Sequence, residues 1–228
     1  MSSHESPKPI RLVFFGDSIC VGQGVSIHRS WVCRIAAKID ELNERQRSSV
    51  LVVNASINGN TTRQALERMP YDVQSNGVDI LLVQFGMNDC NYWLSDKGGA
   101  RVSLKAFEAN LEEIIERGIR FGAKHVLLNT NHPTLRTKET FPGTSITYED
   151  SNKAYNEVIR RVASAAGGKV VLNDVGPRFD AYTEGNPSRL SDLLLEDGLH
   201  LSVKGHDIYF DLIYPKIMNI VSDCRVDA

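Results

Sequence analysis

Short apolar runs alternate along the chain with longer segments whose apolar residues recur at helical spacing. Five of the short runs are rich in β-forming residues, and they predict strands at 10–15, 50–53, 79–85, 124–128 and 170–172. The first and third of these runs are followed directly by a glycine, Gly16 and Gly86. The alternation predicts strands that are separated by helices along most of the chain.

The segments between the apolar runs supply the helices. Helices are predicted over 31–42, 103–120 and 148–166, with a shorter one between a threonine cap at 61 or 62 and the proline at 70. Ser103 can act as the N-cap of the second of these, and Ser202 can cap a last helix near the end of the chain. Pro215 lies inside that last helix and is expected to kink or break it.

The predicted strands are apolar throughout rather than alternating, which is typical of parallel strands that are covered on both faces. Helices between consecutive strands imply right-handed crossovers. We therefore expect residues 1–228 to form a single three-layer α/β/α domain of the α/β class, with residues 1–9 flexible. About five parallel strands are predicted, in a flavodoxin-like order. Residues 87–101 and 130–147 have no predicted element, and long loops in compact domains are often functional.

Composition excludes several classes of function. The net charge of −2 over 228 residues differs from the basic footprint of a nucleic-acid-binding protein, so no nucleic-acid partner is predicted. No apolar run is long enough to predict a membrane span. The four cysteines are scattered without a CxxC pair, and the first eleven residues lack the apolar stretch of a secretory signal. These features predict reduced thiols and a cytoplasmic location; the oligomeric state is not indicated.

Polar clusters follow the predicted strands at one edge of the sheet. The clusters are GDS at 16–18, NGN at 58–60 and GMND at 86–89, and a further cluster, DGLH at 197–200, precedes the last helix. Ligands of open parallel sheets bind at the carboxyl ends of the strands, close to the point where strand order reverses. Four clusters in matching positions therefore predict one functional site at this edge.

These four blocks resemble, in residue type and in order, the motifs of the SGNH hydrolases, also called GDSL-type esterases and lipases. The one departure is Ile19, where the family name has leucine, and this position is expected only to pack behind its neighbours. The resemblance implies a serine hydrolase that cleaves acyl esters without a cofactor or metal. It further implies Ser18 as nucleophile, His200 as base and Asp197 as the acid of a catalytic triad.

The chemistry fits these residue types. A serine hydroxyl needs a base to remove its proton, and a neutral imidazole can do so near pH 7. An aspartate three residues before the histidine can orient the ring, as in serine triads. Commoner roles stay open for each residue alone: a helix N-cap for Ser18, and an ordinary polar loop for the Asp197–His200 pair. A metal site formed by Asp197, His200 and His206 is disfavoured, because no further cysteine or histidine lies at ligand spacing.

The resemblance also implies an oxyanion hole, formed by the backbone N–H groups of Ser18 and Gly59 and by the Asn88 amide. Preorganised donors of this kind stabilise the tetrahedral intermediate of acyl transfer. Taken alone, an Asn-Gly pair is more often a turn, and Asn88 more often an Asx-turn residue. Asp17 and Asp89 are expected to hold their loops in place by accepting backbone N–H bonds.

The remaining candidate residues have weaker support for a role in the functional site. His28 and His132 lie on predicted loops at the active edge, where they could contact a substrate, and a surface position is expected for each. Cys20 is expected to be a small buried packing residue. Three aromatic residues, Trp31, Tyr92 and Trp93, lie near the predicted site in sequence, where they could stack on a sugar ring, line an acyl pocket or pack on one another.

The predicted partner is a small-molecule acyl ester. The chain has no lid segment or large apolar insertion of the kind that a long acyl chain would need, which favours short acyl groups such as acetyl. Two other functions stay open at this point. One is an acyltransferase that passes the acyl group to a sugar or metabolite hydroxyl, and the other is a non-catalytic binding module with the same fold.

Overall fold

Five parallel strands form one sheet in the computed structural model, which describes residues 8–46 and 49–226. The strands are β1 Ile10–Gly16, β2 Val50–Asn54, β3 Ile80–Gln84, β4 His125–Asn129 and β5 Val170–Asn173. Their order is β2-β1-β3-β4-β5, which confirms the predicted flavodoxin-like topology. Of the segment 1–9 that was expected to be flexible, residues 1–7 lie outside the described residues.

The strand order places β1 between β2 and β3, so the chain leaves β1 at the point where the strand order reverses. Phe14 pairs with Asn54 of β2, and Gly16 pairs with Gln84 of β3. Every residue of β3 is buried, as expected for a strand covered by helices on both faces. The loops after β1, β2 and β3 therefore emerge side by side at one edge.

Eight α-helices are present in the described residues. They are α1 Ser18–Val21, α2 Trp31–Gln46, α3 Thr62–Met69, α4 Leu104–Arg120, α5 Tyr148–Ala165, α6 Gly176–Thr183, α7 Pro187–Leu190 and α8 Val203–Val226. The predicted caps are confirmed: the Ser103 hydroxyl accepts from the Ala106 N–H at 3.3 Å, and Thr61 forms a capping box with Gln64. Helices α3, α4 and α5 pack in succession, and α2 packs against α8.

Helix α8 runs through Pro215 without a break, so the break that the proline allowed does not occur. Proline removes one backbone hydrogen bond from a helix, which packing on either side can offset. Ile213 and Ile217 flank Pro215 and are both fully buried, so the helix is held against the core before and after the proline. Ser202 caps this helix as predicted, since its hydroxyl accepts from the Gly205 N–H at 3.3 Å.

Amide side chains form a buried ladder across the carboxyl ends of β3, β4 and β5. Asn173 donates to the Asn129 Oδ1 at 2.7 Å, and Asn129 donates to the Gln84 Oε1 at 2.9 Å. Gln84 in turn donates to the Asn131 Oδ1 at 2.9 Å. All four side chains are fully buried, and hydrogen bonds between them replace most of those that water would make; among the described residues, Asn131 Nδ2 and Asn173 Oδ1 have no partner. We call this set the amide ladder.

None of the helices in the described part of the chain combines the length and the apolar character that crossing a bilayer requires.

Gly205 offers a test of the packing that joins α8 to the segment before it. A Cβ at this position would lie 2.2 Å from the Leu193 carbonyl oxygen and 2.9 Å from Leu201 Cδ2. We expect Gly205→Ala to lower the free energy of unfolding by about 1–3 kcal/mol, the usual range for overpacking. Urea denaturation would measure the change.

Gly168→Ala is the matched control, because a Cβ there would meet no atom within 4 Å. The control should change the free energy of unfolding by less than about 1 kcal/mol. Equal destabilisation by the two alanines would contradict the close approach of α8 to Leu193.

Candidate active site

A tight turn carries the chain from β1 into α1 and presents Ser18 as the first residue of the helix. The N-cap is Asp17, whose Oδ1 accepts from the Ile19 N–H at 3.0 Å, so the cap role considered for Ser18 belongs to its neighbour. A Cβ at Gly16 would lie 2.6 Å from Cys20 Sγ and 2.9 Å from the Gln84 carbonyl oxygen. Only glycine fits where the turn passes β3.

The turn is anchored from the core side. The Trp31 indole N–H donates to the Ile19 carbonyl at 2.9 Å, and the Trp31 ring packs edge-on against Phe14, with centroids 5.5 Å apart. Trp31 is fully buried and is therefore a core residue rather than a substrate contact. Cys20 is buried beside the turn, as expected for a packing residue.

The DGLH segment forms a second turn that faces Ser18. Asp197 Oδ1 accepts from the N–H groups of Leu199 and His200, each at 2.9 Å. Its other oxygen, Oδ2, lies 2.5 Å from His200 Nδ1, and His200 Nε2 lies 3.0 Å from Ser18 Oγ. The carboxylate is the acceptor in the first pair, so the ring carries its proton on Nδ1 and presents Nε2 to the hydroxyl as an acceptor. The structure thus brings Ser18 to His200, from which 182 positions of sequence separate it.

Asp197 is charged in this arrangement. Partial burial by itself would raise the pKa of Asp197, but the hydrogen bonds from the His200 ring and from the Leu199 and His200 N–H groups hold that pKa at about 2. A permanently charged carboxylate can stabilise an imidazolium when the ring takes up a proton.

His132 supports the DGLH turn from beneath, which corrects the expectation of a surface position. Its Nε2 lies 2.7 Å from the Leu199 carbonyl oxygen, and its Nδ1 lies 2.9 Å from the Tyr209 hydroxyl. The residue is fully buried because the loop after β4 turns into the interior, and burial lowers the pKa of His132 to about 4. Neither periodicity nor charge pattern signals this position in the sequence. His28, in contrast, is exposed as predicted.

Three hydrogen-bond donors are implied by the family resemblance: the backbone N–H groups of Ser18 and Gly59, and the Asn88 side chain. No described residue accepts a hydrogen bond from the backbone N–H of Ser18 or of Gly59. Gly59 has φ +76°, a conformation that favours glycine. The Asn88 side-chain Nδ2 donates to Asp17 Oδ2 at 3.3 Å, which leaves its second hydrogen available.

Both aspartates beside these donors are buried and hold loops together. Asp89 Oδ1 accepts from the Thr62 N–H at 2.9 Å and from the Thr62 hydroxyl at 2.5 Å, which ties the loop after β3 to the start of α3. Burial raises the pKa of Asp89 to about 6, against the hydrogen bonds from Thr62. The pKa of Asp17 is raised further, to about 7, chiefly by burial, with the nearby Asp89 charge adding to it and the Ile19 N–H opposing it.

The structure does not bring His206 to the other two residues considered for a metal site. His206 is a buried residue of α8, and its Nδ1 accepts from the N–H of Trp31, the first residue of α2, at 3.4 Å. Within residues 8–46 and 49–226, no three His, Cys, Asp or Glu side chains are grouped as metal ligands would be.

A cavity of about 740 Å³ opens beside Asp197. Its aromatic wall is formed by Tyr92, Phe141 and Tyr148, and the first two rings stack with centroids 4.3 Å apart. Arg136 also lines the cavity, and its Nε donates to the Asp197 carbonyl at 3.1 Å. Sequence reasoning named only Tyr92 of this set, because the others lie in or after an irregular loop without a periodic pattern.

Trp93 faces away from this cavity and packs its ring under the guanidinium of Arg101, 4.3 Å from the ring centroid. Arg101 was not singled out from the sequence either, since one arginine in a polar loop carries no signal by itself. The aromatic residues at 92 and 93 therefore lie in different environments, although they are neighbours in sequence.

Known proteins match the chain along most of its length. The model of the GDSL-like Lipase/Acylhydrolase family matches residues 14–208. The human "isoamyl acetate-hydrolyzing esterase 1 homolog" is 28% identical over 226 residues, which cover 93% of this chain and 83% of that protein. An arylesterase of Vibrio mimicus is 29% identical over 123 residues, 54% of this chain, and the match spans about half of the arylesterase, 56%.

Among solved structures, the acetylxylan esterase Axe2 of Geobacillus stearothermophilus has a similar fold. The TM-score is 0.72 at 22% sequence identity, and the alignment covers 91% of this chain and 94% of that one. At this identity the likeness concerns the fold, and it includes the three-layer arrangement around a parallel sheet.

Buried Asp17 makes stability depend on pH. Because its pKa is raised to about 7, the folded protein keeps a proton between about pH 4 and pH 7 that the unfolded chain releases. The contribution of this carboxyl group to the free energy of unfolding is therefore greatest below about pH 4. That contribution is lost as the pH rises through about 7. Asp17→Asn should remove this loss, so that the variant gains stability relative to the parent between pH 5 and pH 8.

Urea denaturation at both pH values measures this difference. Asp40→Asn, which changes an exposed aspartate of α2, is the control and should follow the parent at both pH values. If the Asp17→Asn protein lost as much stability between pH 5 and pH 8 as the parent, the buried carboxyl would not be the cause.

Proposed function

The chain belongs to the GDSL-like lipase/acylhydrolase family, and from this premise we propose that it is a serine hydrolase that cleaves acyl esters through Ser18, His200 and Asp197. One observation carries the proposal: Ser18 Oγ lies 3.0 Å from His200 Nε2, while His200 Nδ1 lies 2.5 Å from Asp197 Oδ2. The nucleophile, the base and the orienting acid thus form a spatial relay in which each lies within hydrogen-bond distance of the next.

In the first half of the reaction, Ser18 Oγ attacks the carbonyl carbon of the ester as His200 Nε2 takes up the hydroxyl proton. The Asp197 carboxylate stabilises the imidazolium that forms. The tetrahedral intermediate then collapses, and His200 returns the proton to the leaving alcohol oxygen. The products of this half are the free alcohol and an acyl group on Ser18.

The oxyanion of the tetrahedral intermediate needs donors in place before the reaction begins. We assign this role to the backbone N–H groups of Ser18 and Gly59 and to the second Nδ2 hydrogen of Asn88. The support is that no described residue accepts from either backbone N–H group. Asn88 is held beside the nucleophile turn through Asp17.

In the second half, water takes the place of the alcohol. His200 removes a proton from the water as its oxygen attacks the acyl carbon, and the acid product leaves when Ser18 regains its proton. Neither half requires a redox partner, and each proton that His200 takes up is returned within the same half.

For the substrate we propose a short acyl group, acetyl above all, on an alcohol that fits the cavity beside Asp197. The human relative is named for the hydrolysis of isoamyl acetate, an ester of this kind. The cavity of about 740 Å³ lies on the Asp197 side, and its wall of Tyr92, Phe141 and Tyr148 suits an apolar or ring-shaped alcohol.

Ser18→Ala tests the mechanism. We expect the variant to lose hydrolysis of 4-nitrophenyl acetate by at least about 10³-fold, because the nucleophile is absent and only binding and the oxyanion donors remain. Labelling by a fluorophosphonate probe should also disappear, as detected by intact mass. Cys33→Ser, which alters a partly exposed cysteine of α2, controls for general effects of substitution. Full activity of the Ser18→Ala protein would refute the mechanism.

The acyl preference is tested with 4-nitrophenyl esters of rising chain length. We expect kcat/KM to fall by about tenfold or more from acetate to octanoate. A rise with chain length would contradict the proposed acetyl preference while leaving the mechanism intact.

The same assays separate the two functions left open by the sequence. A wild-type protein that is neither labelled by the probe nor active on any ester would be a binding module. Consumption of the ester with formation of a new ester, when a sugar or alcohol acceptor is added, would identify an acyltransferase. The proposed hydrolase produces free acid with and without the acceptor.

A further inference from the structure

Arg101 connects two of the loops that surround Ser18. Its Nη1 donates to the Gly59 carbonyl oxygen at 3.4 Å and to Asn88 Oδ1 at 3.5 Å. Gly59 follows β2 and Asn88 follows β3, and these strands lie on opposite sides of β1 in the sheet. One side chain therefore reaches across the strand that delivers the nucleophile and joins the loops on either side of it.

The contact with Arg101 determines which face of the Asn88 amide meets its neighbours. A guanidinium has only donors, so the amide atom that faces Arg101 must be the oxygen. The Nδ2 group then points toward Asp17 Oδ2, 3.3 Å away. Asp17 cannot impose this orientation alone, because its raised pKa of about 7 lets the carboxyl donate as well as accept near neutral pH. A guanidinium, in contrast, can only donate, so its contact fixes the amide oxygen.

Arg101 is itself held on two sides. Its guanidinium lies over the Trp93 ring at 4.3 Å, and its backbone N–H donates to the Asn91 carbonyl at 2.9 Å. The next residue, Val102, donates to the Asp89 carbonyl at 3.2 Å, which closes the loop that begins at β3. The side chain is thus anchored at its base and stacked along its length, so it can hold other groups in place.

Resting on the proposed function, we propose that Arg101 is a positioning residue for the oxyanion hole, which fixes Gly59 and the Asn88 amide in their productive orientation. A hydrogen bond to the amide oxygen also polarises the amide, so that the Asn88 Nδ2 hydrogen becomes a stronger donor to the developing oxyanion. Arg101 acts through Asn88 and Gly59 and makes no contact with the ester itself.

The test compares Arg101→Ala, Arg101→Lys and the matched control Arg63→Ala on 4-nitrophenyl acetate. Arg63 is exposed and lines the same surface cleft as Arg101, but it makes no hydrogen bond to Gly59 or Asn88. We expect Arg101→Ala to lower kcat by about 10- to 100-fold, less than the full loss of an oxyanion donor, with KM changed by less than about threefold. Arg101→Lys should keep part of the activity, and Arg63→Ala should behave as wild type.

Two further readouts separate positioning from a structural defect. Millimolar guanidinium should restore part of the kcat of Arg101→Ala and leave that of Asn88→Ala unchanged. In a double-mutant cycle, Arg101→Ala should have little further effect in the Asn88→Ala background, because its main route to the oxyanion is already gone. Thermal melting of each variant checks folding, and Arg101→Lys carries the test if the alanine variant does not fold.

An active wild type whose kcat is unchanged in Arg101→Ala would overturn the role of Arg101 and leave the proposed function standing. Equal losses from Arg101→Ala with and without Asn88 would overturn it as well. A wild type that neither turns over esters nor reacts at Ser18 with a fluorophosphonate would instead overturn the proposed function, and the role of Arg101 with it.

Discussion

The carboxyl ends of β1 and β3 lie so close together that residue 16 has no room for a side chain, and the whole candidate site depends on this approach. Because Gly16 passes against the Gln84 carbonyl, the chain turns at once into α1, and Ser18 stays beside the loop that follows β3. The same approach brings Asp17 within reach of the Asn88 amide. A larger residue at position 16 would push these loops apart and separate the hydroxyl from its neighbours.

The second half of the site rests on a different kind of support. The DGLH turn is too short to have a core of its own, so it is held by groups outside it: His132 from beneath and Arg136 from the side, each at a backbone carbonyl. The His200 ring is thereby held between Asp197 Oδ2 and Ser18 Oγ. A loop that carries a catalytic group is commonly held by contacts to its backbone, so that its side chains remain available for the reaction.

Sequence reasoning reached the fold because the strands are short, wholly apolar and separated by periodic helices. The same patterns are missing where prediction failed. Helix α6 has Phe179 as its one buried apolar residue and begins at a Gly-Pro pair, so no periodicity marked it. Pro215 suggested a break, but local propensity is overridden when both neighbouring turns are buried.

For the candidate site, the shared edge of the parallel strands predicted that the four polar blocks lie together, and the family resemblance named the individual residues. His200 lies within hydrogen-bond distance of both Ser18 and Asp197. The supporting residues could not be found in the same way. His132, Arg136 and Arg101 each act through one contact to a backbone or amide oxygen, and such a contact exists only once the loops have taken their tertiary positions.

The amide ladder has a consequence for how the sheet finds its alignment during folding. Apolar strands such as β3 and β4 could slide past one another by two residues and still bury similar surfaces. Gln84, Asn129 and Asn173 make such a slip costly, because each misplaced amide would lie in the core without a partner, at about 1–3 kcal/mol per group. The ladder therefore specifies the strand register: it adds little to the attraction between the strands, but it disfavours every register in which the amides do not meet.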